Sequence, residues 1–212
     1  MPPRVPQRTE LSRLDPSSAT KSEMTRARIL DGAAIVLSQR GYSGMRLSDV
    51  AKAAEVQTPA IYYYFDSRDD LVEEVMCAGI ADMREHVTRV LDELPSDTGS
   101  LDRILAAVEE HLRHELEISA FTTASIRNAG QVPDTIRSRQ IAEEKKYGRI
   151  WRTLITTAIA DGSIRDDLDP YIAQMLVLGS LNWAAEWWNP RRGGLDTVVH
   201  TAQAFVRGAL TN

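Results

Sequence analysis

The sequence predicts an all-α protein of about nine helices, a three-helix N-terminal unit followed by a larger helical domain. Apolar residues recur at helical spacing through almost the whole chain, as in Ile29, Ala33, Val36 and Leu37 at i, i+4, i+7 and i+8. Gly, Pro and Asp cluster between the periodic stretches, in PSDTG, AGQVP, DGSIRDDLDP and NPRRGGLD. No alternating run is left over from which a strand pair could be built.

The first helix ends at Arg40-Gly41, a basic residue before a glycine C-cap. Leu47, Val50, Ala51 and Ala54 mark a second helix, which stops near Glu55-Val56. Thr58 offers an N-cap hydroxyl and Pro59 a first helical position where its missing N–H costs nothing, so the third helix is short, over residues 59–65. Ser67, with Asp70 three residues later, opens a fourth helix toward Leu94 as a capping box does. Further helices follow over 101–119, 121–128, 133–160, 170–188 and 195–210. The expected organisation is a mobile arm over 1–22, a first helical domain over 23–70 and a second, larger one over 71–212.

With 212 residues, 43% of them hydrophobic, the chain can bury a substantial core. The lone Cys77 excludes an intramolecular disulfide and a multi-cysteine zinc site, and fits a reducing compartment, here the cytoplasm. No stretch is apolar for the ~20 residues a membrane span needs, and the opening residues have no apolar centre resembling a signal peptide. The net charge of -5 hides an asymmetry: residues 1–70 carry 10 basic against 9 acidic side chains, the remainder 15 against 21. A positive face near the N-terminus is therefore compatible with an acidic whole.

Helices two and three are separated by a very short turn, the spacing of a helix-turn-helix whose second helix enters a DNA major groove. Stepping ~100° per residue from Ile61 puts Phe65 and Tyr64 on its side, while Thr58, Pro59, Tyr62 and Tyr63 point away. Ile61 and Phe65 thus read as core, with Tyr64 at the edge. Tyr62 and Tyr63 project hydroxyls that can donate to phosphate, and Gln57 and Thr58 carry groups that can pair with base edges.

The stretch ARILDGAAIVLSQRGYSGMRLSDVAKAAEVQTPAIYYYFDSRDDLVEEV resembles the DNA-binding domain of the TetR family of transcriptional regulators. Its elements R-G-Y, L-S-D-V-A, A-E-V, A-I-Y-Y-Y-F and S-R-D-D-L stand in register over about residues 25–75. The resemblance implies that Gln57, Thr58, Pro59, Tyr62 and Tyr63 face DNA. Met45 and Arg46 stand where the family usually has a Ser/Thr pair opening the second helix; hydroxyl capping is lost there, and a long Arg46 could reach a phosphate or a base edge. Arg68 stands where the family usually has a lysine beside the phosphate backbone.

In the C-terminal half, Trp183 and Trp187 lie one turn apart on a helix face with Ile172, Leu176 and Gly179. Such a stripe is more often core or dimer seam than pocket, and both readings stay open. The helix is apolar nearly all round, as expected of one covered by its own domain on one side and by a partner subunit on the other. The pattern W-x-x-x-W-W-N-P-R-R-G-G resembles the C-terminal portion of TetR-like repressors of lipid, steroid and acyl-CoA catabolism. Where some of those proteins hold an acyl-CoA thioester with an arginine, this chain has Gly179; Arg127, Arg191 and Arg192 are the basic groups at hand. Tyr147, Trp151, Leu154 and Ile155 repeat on the long seventh helix, as core or as a pocket lining. The candidate ligand-binding set is Phe121, Arg127, Tyr147, Trp151, Leu176, Gly179, Trp183 and Trp187.

Catalysis has no visible support. A di-iron bundle needs Glu-x-x-His twice, and no histidine here follows a glutamate by three; His111 and His114, among Glu109, Glu110 and Glu115, read as a solvated face. No glycine-rich phosphate loop and no G-x-S-x-G is present. The expectation is a non-enzymatic, cytoplasmic regulator without cofactor or metal. It would bind double-stranded operator DNA as a homodimer through its last two helices, away from membranes, and act as a repressor released by a hydrophobic small molecule. The alternatives are a ligand-independent or activating DNA binder and, less favoured, a helical enzyme.

Overall fold

The structure, a computed structural model, describes residues 15, 18–191 and 193–211. Most of the expected arm therefore lies outside the described residues. No β-strand occurs among those described. The described residues form two compact units, one of those up to 82 together with 117–143, the other of 83–116 together with those from 144 on. The boundary expected at 70/71 falls inside the first of them.

In the first unit, α1 (Lys21–Gly44) opens with a complete capping box: Glu23 N–H donates to Thr20 Oγ1 at 3.2 Å, and Thr20 N–H donates to Glu23 Oε2 at 2.7 Å. At Gly41 the backbone turns out of the helix, with φ 69° and ψ 172°, a conformation that glycine adopts without steric penalty. The freed end of α1 is held from outside. Arg127 donates to the Ser38 carbonyl at 2.7 Å, and the Asn128 side chain donates to the Leu37 carbonyl and accepts from Tyr42 N–H at 2.7 Å.

Next come α2 (Leu47–Ala53) and α3 (Thr58–Tyr64), then α4 (Arg68–Glu93), which continues into the second unit. The cap of α3 differs from expectation by one residue. Gln57 is the N-cap and uses no side-chain bond, so Thr58 is already helical. Ser67 does accept from Asp70 N–H at 3.0 Å, while the Asp70 carboxylate reaches one residue further back, to Asp66 N–H at 3.2 Å. Ile29, Leu37, Val50, Ile61, Phe65 and Leu71 form the core with Phe121 and Ala124 of α6 (Ala120–Asn128).

The second unit contains the end of α4, α5 (Ser100–Arg113), most of α7 (Ser138–Ala160), α8 (Pro170–Asn182), the short α9 (Ala184–Trp187) and α10 (Leu195–Leu210). Three boundaries depart from the sequence reading. The expected helix over 101–119 ends as an α-helix at Arg113 and continues as a π-helix over His114–Ile118. The expected helix at 133 starts at Ser138, after a turn closed by Ile136 N–H to the Pro133 carbonyl at 2.9 Å; the new start is capped by the distant Glu73 carboxylate, which accepts from Ser138 Oγ and Arg139 N–H at 3.1 Å each. The expected helix over 170–188 is interrupted at Trp183.

Candidate functional site

The link between α2 and α3 is tight because Glu55 takes the left-handed conformation, φ 54°, while Ala54 N–H and Val56 N–H close back on the Val50 and Ala51 carbonyls at 2.8 and 2.9 Å. Ile61 and Phe65 seat α3 in the core. On the opposite side Tyr62 is 59% and Tyr63 82% exposed, beside exposed Gln57 and Pro59 and half-buried Thr58. Tyr64 lies at the margin, its hydroxyl accepting from Ser22 Oγ at 3.3 Å. Arg46 is exposed, but Met45 is 2% exposed and packs in the core, so its side chain is withdrawn from the surface on which the sequence placed it. Arg68 lies over the Tyr42 ring, 4.2 Å from its centroid, and donates to the Tyr42 carbonyl at 3.3 Å.

The second unit holds a polar cluster inside an apolar core. On α5, Ile104, Val108 and His111 fall on one buried stripe, and the next step of the same spacing, in the π-helix, is Glu115. His111 is 1% and Glu115 0% exposed, and His114 is buried as well. The solvated face expected for these histidines is therefore wrong. Tyr147 and Trp151 of α7, both buried, complete the cluster: Tyr147 Oη is 3.0 Å from His111 Nδ1, and the two rings stack at 5.9 Å and 19°. His111 Nε2 is 3.6 Å from Glu115 Oε2, too long for a hydrogen bond. On the rim, His86 pairs with Glu110 at 2.7 Å and its ring lies 4.7 Å from that of His114.

These environments push the titratable groups apart. Burial drives the Glu115 carboxyl up, opposed by the neighbouring His111 imidazole and by the Ala185 backbone. Burial likewise raises the Tyr147 hydroxyl, against a weak pull from the Trp151 N–H. The hydrogen bond from His86 holds Glu110 below the ordinary carboxylate range. The folded chain thus keeps a proton on Glu115 that the unfolded chain gives up above about pH 4, so Glu115 subtracts stability as the pH rises from there through its folded value. Glu115→Gln should melt higher than the parent at pH 8 and converge with it near pH 4, by about 2–4 °C for each kcal/mol regained. Thermal denaturation monitored by circular dichroism across that range checks this. A variant that melts lower at pH 8 would contradict the assignment.

An open apolar cavity of about 590 Å³ lies in the same unit, lined by Leu112, Leu181, Trp187, Trp188, Val198 and Phe205 with Ser180 and Thr201 among them. Of the eight candidate ligand residues only Trp187 borders it. Leu176, Gly179 and Trp183 are exposed on α8 and at its C-cap, Tyr147 and Trp151 are in the polar cluster, and Phe121 and Arg127 are committed to packing and to the end of α1 in the first unit. Tyr171, Ile172 and Met175 join Leu176, Trp183 and Phe205 as exposed large apolar side chains.

Comparison with known proteins identifies the frame in which these sites sit. The profile described as bacterial regulatory proteins, tetR family, matches residues 29–75, and the one described as tetracyclin repressor-like, C-terminal domain, matches residues 97–210. The chain belongs to the TetR family. TetR-family relatives include the HTH-type transcriptional repressor KstR2 of Rhodococcus jostii, 24% identical over 195 residues that cover 85% of this chain and 87% of the relative. Among solved structures, AibR in complex with isovaleryl coenzyme A and operator DNA superposes with a TM-score of 0.77 at 20% identity, covering 86% of this chain and 97% of that one. FadR of Bacillus subtilis in complex with stearoyl-CoA gives 0.72 at 19%, covering 86% and 98%.

As a TetR-family member the protein is a DNA-binding transcriptional regulator and not an enzyme. Among the described residues no group of three or more His, Cys, Asp or Glu side chains is placed to hold a metal ion, and no helix is long and apolar enough to cross a membrane. The sequence reading of this TetR-family chain missed His111 and Glu115. The signal was present in the stripe itself, since the helical step from Ile104 through Val108 lands on both.

Proposed function

We propose that the protein is a homodimeric, cytoplasmic repressor that leaves a roughly palindromic operator when a hydrophobic small molecule binds its C-terminal helices. The observation that carries this reading is the division of α3: Ile61 and Phe65 bury one side, while Gln57, Thr58, Tyr62 and Tyr63 stand on the other after a turn too tight to let α3 move independently of α2. Two such helices enter successive major grooves ~34–36 Å apart. Gln57 and Thr58 read base edges, Tyr62 and Tyr63 donate to phosphates, and Pro59, Arg46 and Arg68 border the same face.

Dimerisation through α8 and α10 is supported by the apolar surface that they expose, where Leu176 is 69% exposed. The open cavity shares Ser180, Thr201 and Phe205 with those two helices, so a second copy would close it. The effector is a hydrophobic molecule of the acyl-thioester or steroid class, a choice supported by the coenzyme A complexes of AibR and FadR and by the likeness to KstR2. It releases DNA by binding more tightly to a dimer whose recognition helices are wrongly spaced.

Substitutions on α3 separate base reading from phosphate contact. Tyr63→Phe removes one hydroxyl and should weaken operator and unrelated DNA alike, by about 3–10-fold. Gln57→Ala should relax preference at one base pair by about 1–3 kcal/mol. Shift assays at fixed salt check both, and unchanged affinity and preference in the two variants would remove α3 from the interface.

A further inference from the structure

Tyr42 follows Gly41, where the backbone leaves α1, and stands ahead of α2; Arg68 opens α4, shortly after α3. The two residues bracket the helix-turn-helix in sequence, one at its entrance and one at its exit. In the structure they are bonded to each other. Arg68 Nη1 donates to the Tyr42 carbonyl at 3.3 Å, and the guanidinium carbon lies 4.2 Å from the centroid of the Tyr42 ring. Arg68 Nε donates to Asp69 Oδ1 at 3.3 Å, and the Tyr42 hydroxyl donates to the same oxygen at 3.1 Å. The backbone N–H of Tyr42 is taken as well, by Asn128 Oδ1 at 2.7 Å. Asn128 is itself buried, and its amide group donates to the Leu37 and Ala124 carbonyls at 3.3 and 2.8 Å. Every polar group of Tyr42 and a face of its ring are thus engaged, by the start of α4 and by the end of α6. All of these residues belong to the first unit.

We propose that Tyr42, Arg68, Asp69 and Asn128 form a clasp that sets the angle at which α3 meets DNA, and that Arg68 acts as a positioning residue within it rather than as a phosphate contact. A solvated ion pair between neighbouring residues is worth little by itself. Arg68 differs because its side chain is only 31% exposed and meets a ring, a carbonyl and a carboxylate at once. To reach a phosphate it would have to give up these partners together, leaving the Asp69 carboxylate without its counter-charge. A lysine, which the TetR family usually has here, supplies a point charge that serves a phosphate equally well. It has no planar fork with which to lie over Tyr42 and hold Asp69 at the same time. The clasp therefore accounts for an arginine at this position, and a phosphate contact does not.

Joining the two ends of the motif has a consequence for reading. Ile61 and Phe65 seat α3 on the core along one side, and the clasp fixes the ends of the segment that carries it. Base edges are read by hydrogen bonds of narrow geometry, so a small change of tilt costs base contacts. Phosphate contacts carry no sequence information, and long flexible side chains keep them through the same change. The clasp therefore supports discrimination between operator and other DNA more than total affinity.

This inference rests on the assignment of α3 to the operator proposed above, and the test separates the two. Affinity of the full-length protein is measured by fluorescence anisotropy at fixed salt, for the duplex flanking its own gene and for an unrelated duplex of the same length. Arg68→Lys keeps the charge and removes the fork; Tyr42→Leu removes the ring and hydroxyl and leaves every charge in place. Each should lower the ratio of the two affinities about 10-fold, the worth of one base contact, while the unrelated duplex is bound as by the parent. A merely structural defect reduces the folded fraction, lowers both affinities alike and leaves the ratio unchanged. Tyr42→Phe, which removes the hydroxyl alone, should lower the ratio about 3-fold and carries the test if Tyr42→Leu does not fold. Arg68→Lys combined with either Tyr42 change should fall no further than the lower of its two single variants, because both open one clasp. The parent ratio in Arg68→Lys or in the Tyr42 variants, equal losses on the two duplexes, or additive losses in the double variant would overturn the clasp. Gln57→Ala distinguishes the failures. If it lowers the ratio while the clasp variants do not, the clasp alone is wrong; if it also leaves the ratio unchanged, α3 is not the reader and both readings fall.

Discussion

Gly79→Ala should lose about 3 kcal/mol or more of stability, and Gly79→Val should not fold at physiological temperature. A Cβ at Gly79 would sit 2.2 Å from the Phe121 carbonyl oxygen, 2.6 Å from its carbon and 2.9 Å from Ser125 Cβ. Two of these three are backbone atoms of α6, which cannot swing aside as a side-chain tip would. The close approach is also what lets Thr122 Oγ1 donate to the Gly79 carbonyl and Ser125 Oγ to the Met76 carbonyl, at 2.9 Å each. Moving α6 away to admit a methyl group would break these buried hydrogen bonds and loosen Phe121 and Ala124 from the core. A fall in melting temperature of roughly 6–12 °C is expected for Gly79→Ala. Gly130→Ala is the control, since a Cβ there meets nothing within 4 Å. Equal melting of the two variants would show that α4 and α6 do not cross as described.

The second large effect concerns the exposed face of α8 and its C-cap. Leu176→Glu combined with Trp183→Glu should convert the protein to a monomer at micromolar concentration. Operator affinity should fall by on the order of 100-fold or more, because the second recognition helix is no longer tethered to the first. Both side chains are exposed in the single chain, so the monomer itself should lose little stability. Sedimentation and a shift assay on the same sample test the two consequences together. A dimer that persists in this variant would place the subunit contact elsewhere than on α8 and α10.

Much of this architecture was legible in the sequence because it follows from local rules. The opposed faces of α3 are set by the ~100° step between Ile61 and Tyr63, and the restart at Ser67 by a serine and an acid three residues apart. What escaped depended on distant partners. The start of α7 at Ser138 is capped by Glu73, 65 residues earlier, and no local pattern announces that. Met45 was assigned by its place in the family motif, whereas the core determines its burial. His111 and Glu115 were read by residue type, as charged groups belonging in water, although their spacing placed them on the buried stripe. Polar type and helical position disagreed there, and position prevailed because the stripe of α5 that carries His111 faces Tyr147 and Trp151 of α7.

The central claim is that a dimer reads two half-sites with α3. Hydroxyl-radical footprinting on the DNA flanking the protein's own gene, at a salt concentration that suppresses non-specific binding, tests it most directly. Two protected half-sites in inverted orientation are expected, ~34–36 Å apart or a multiple of that, on one face of the duplex and lost together in the Leu176→Glu, Trp183→Glu variant. A single unpaired half-site, or protection that the monomeric variant reproduces unchanged, would contradict it.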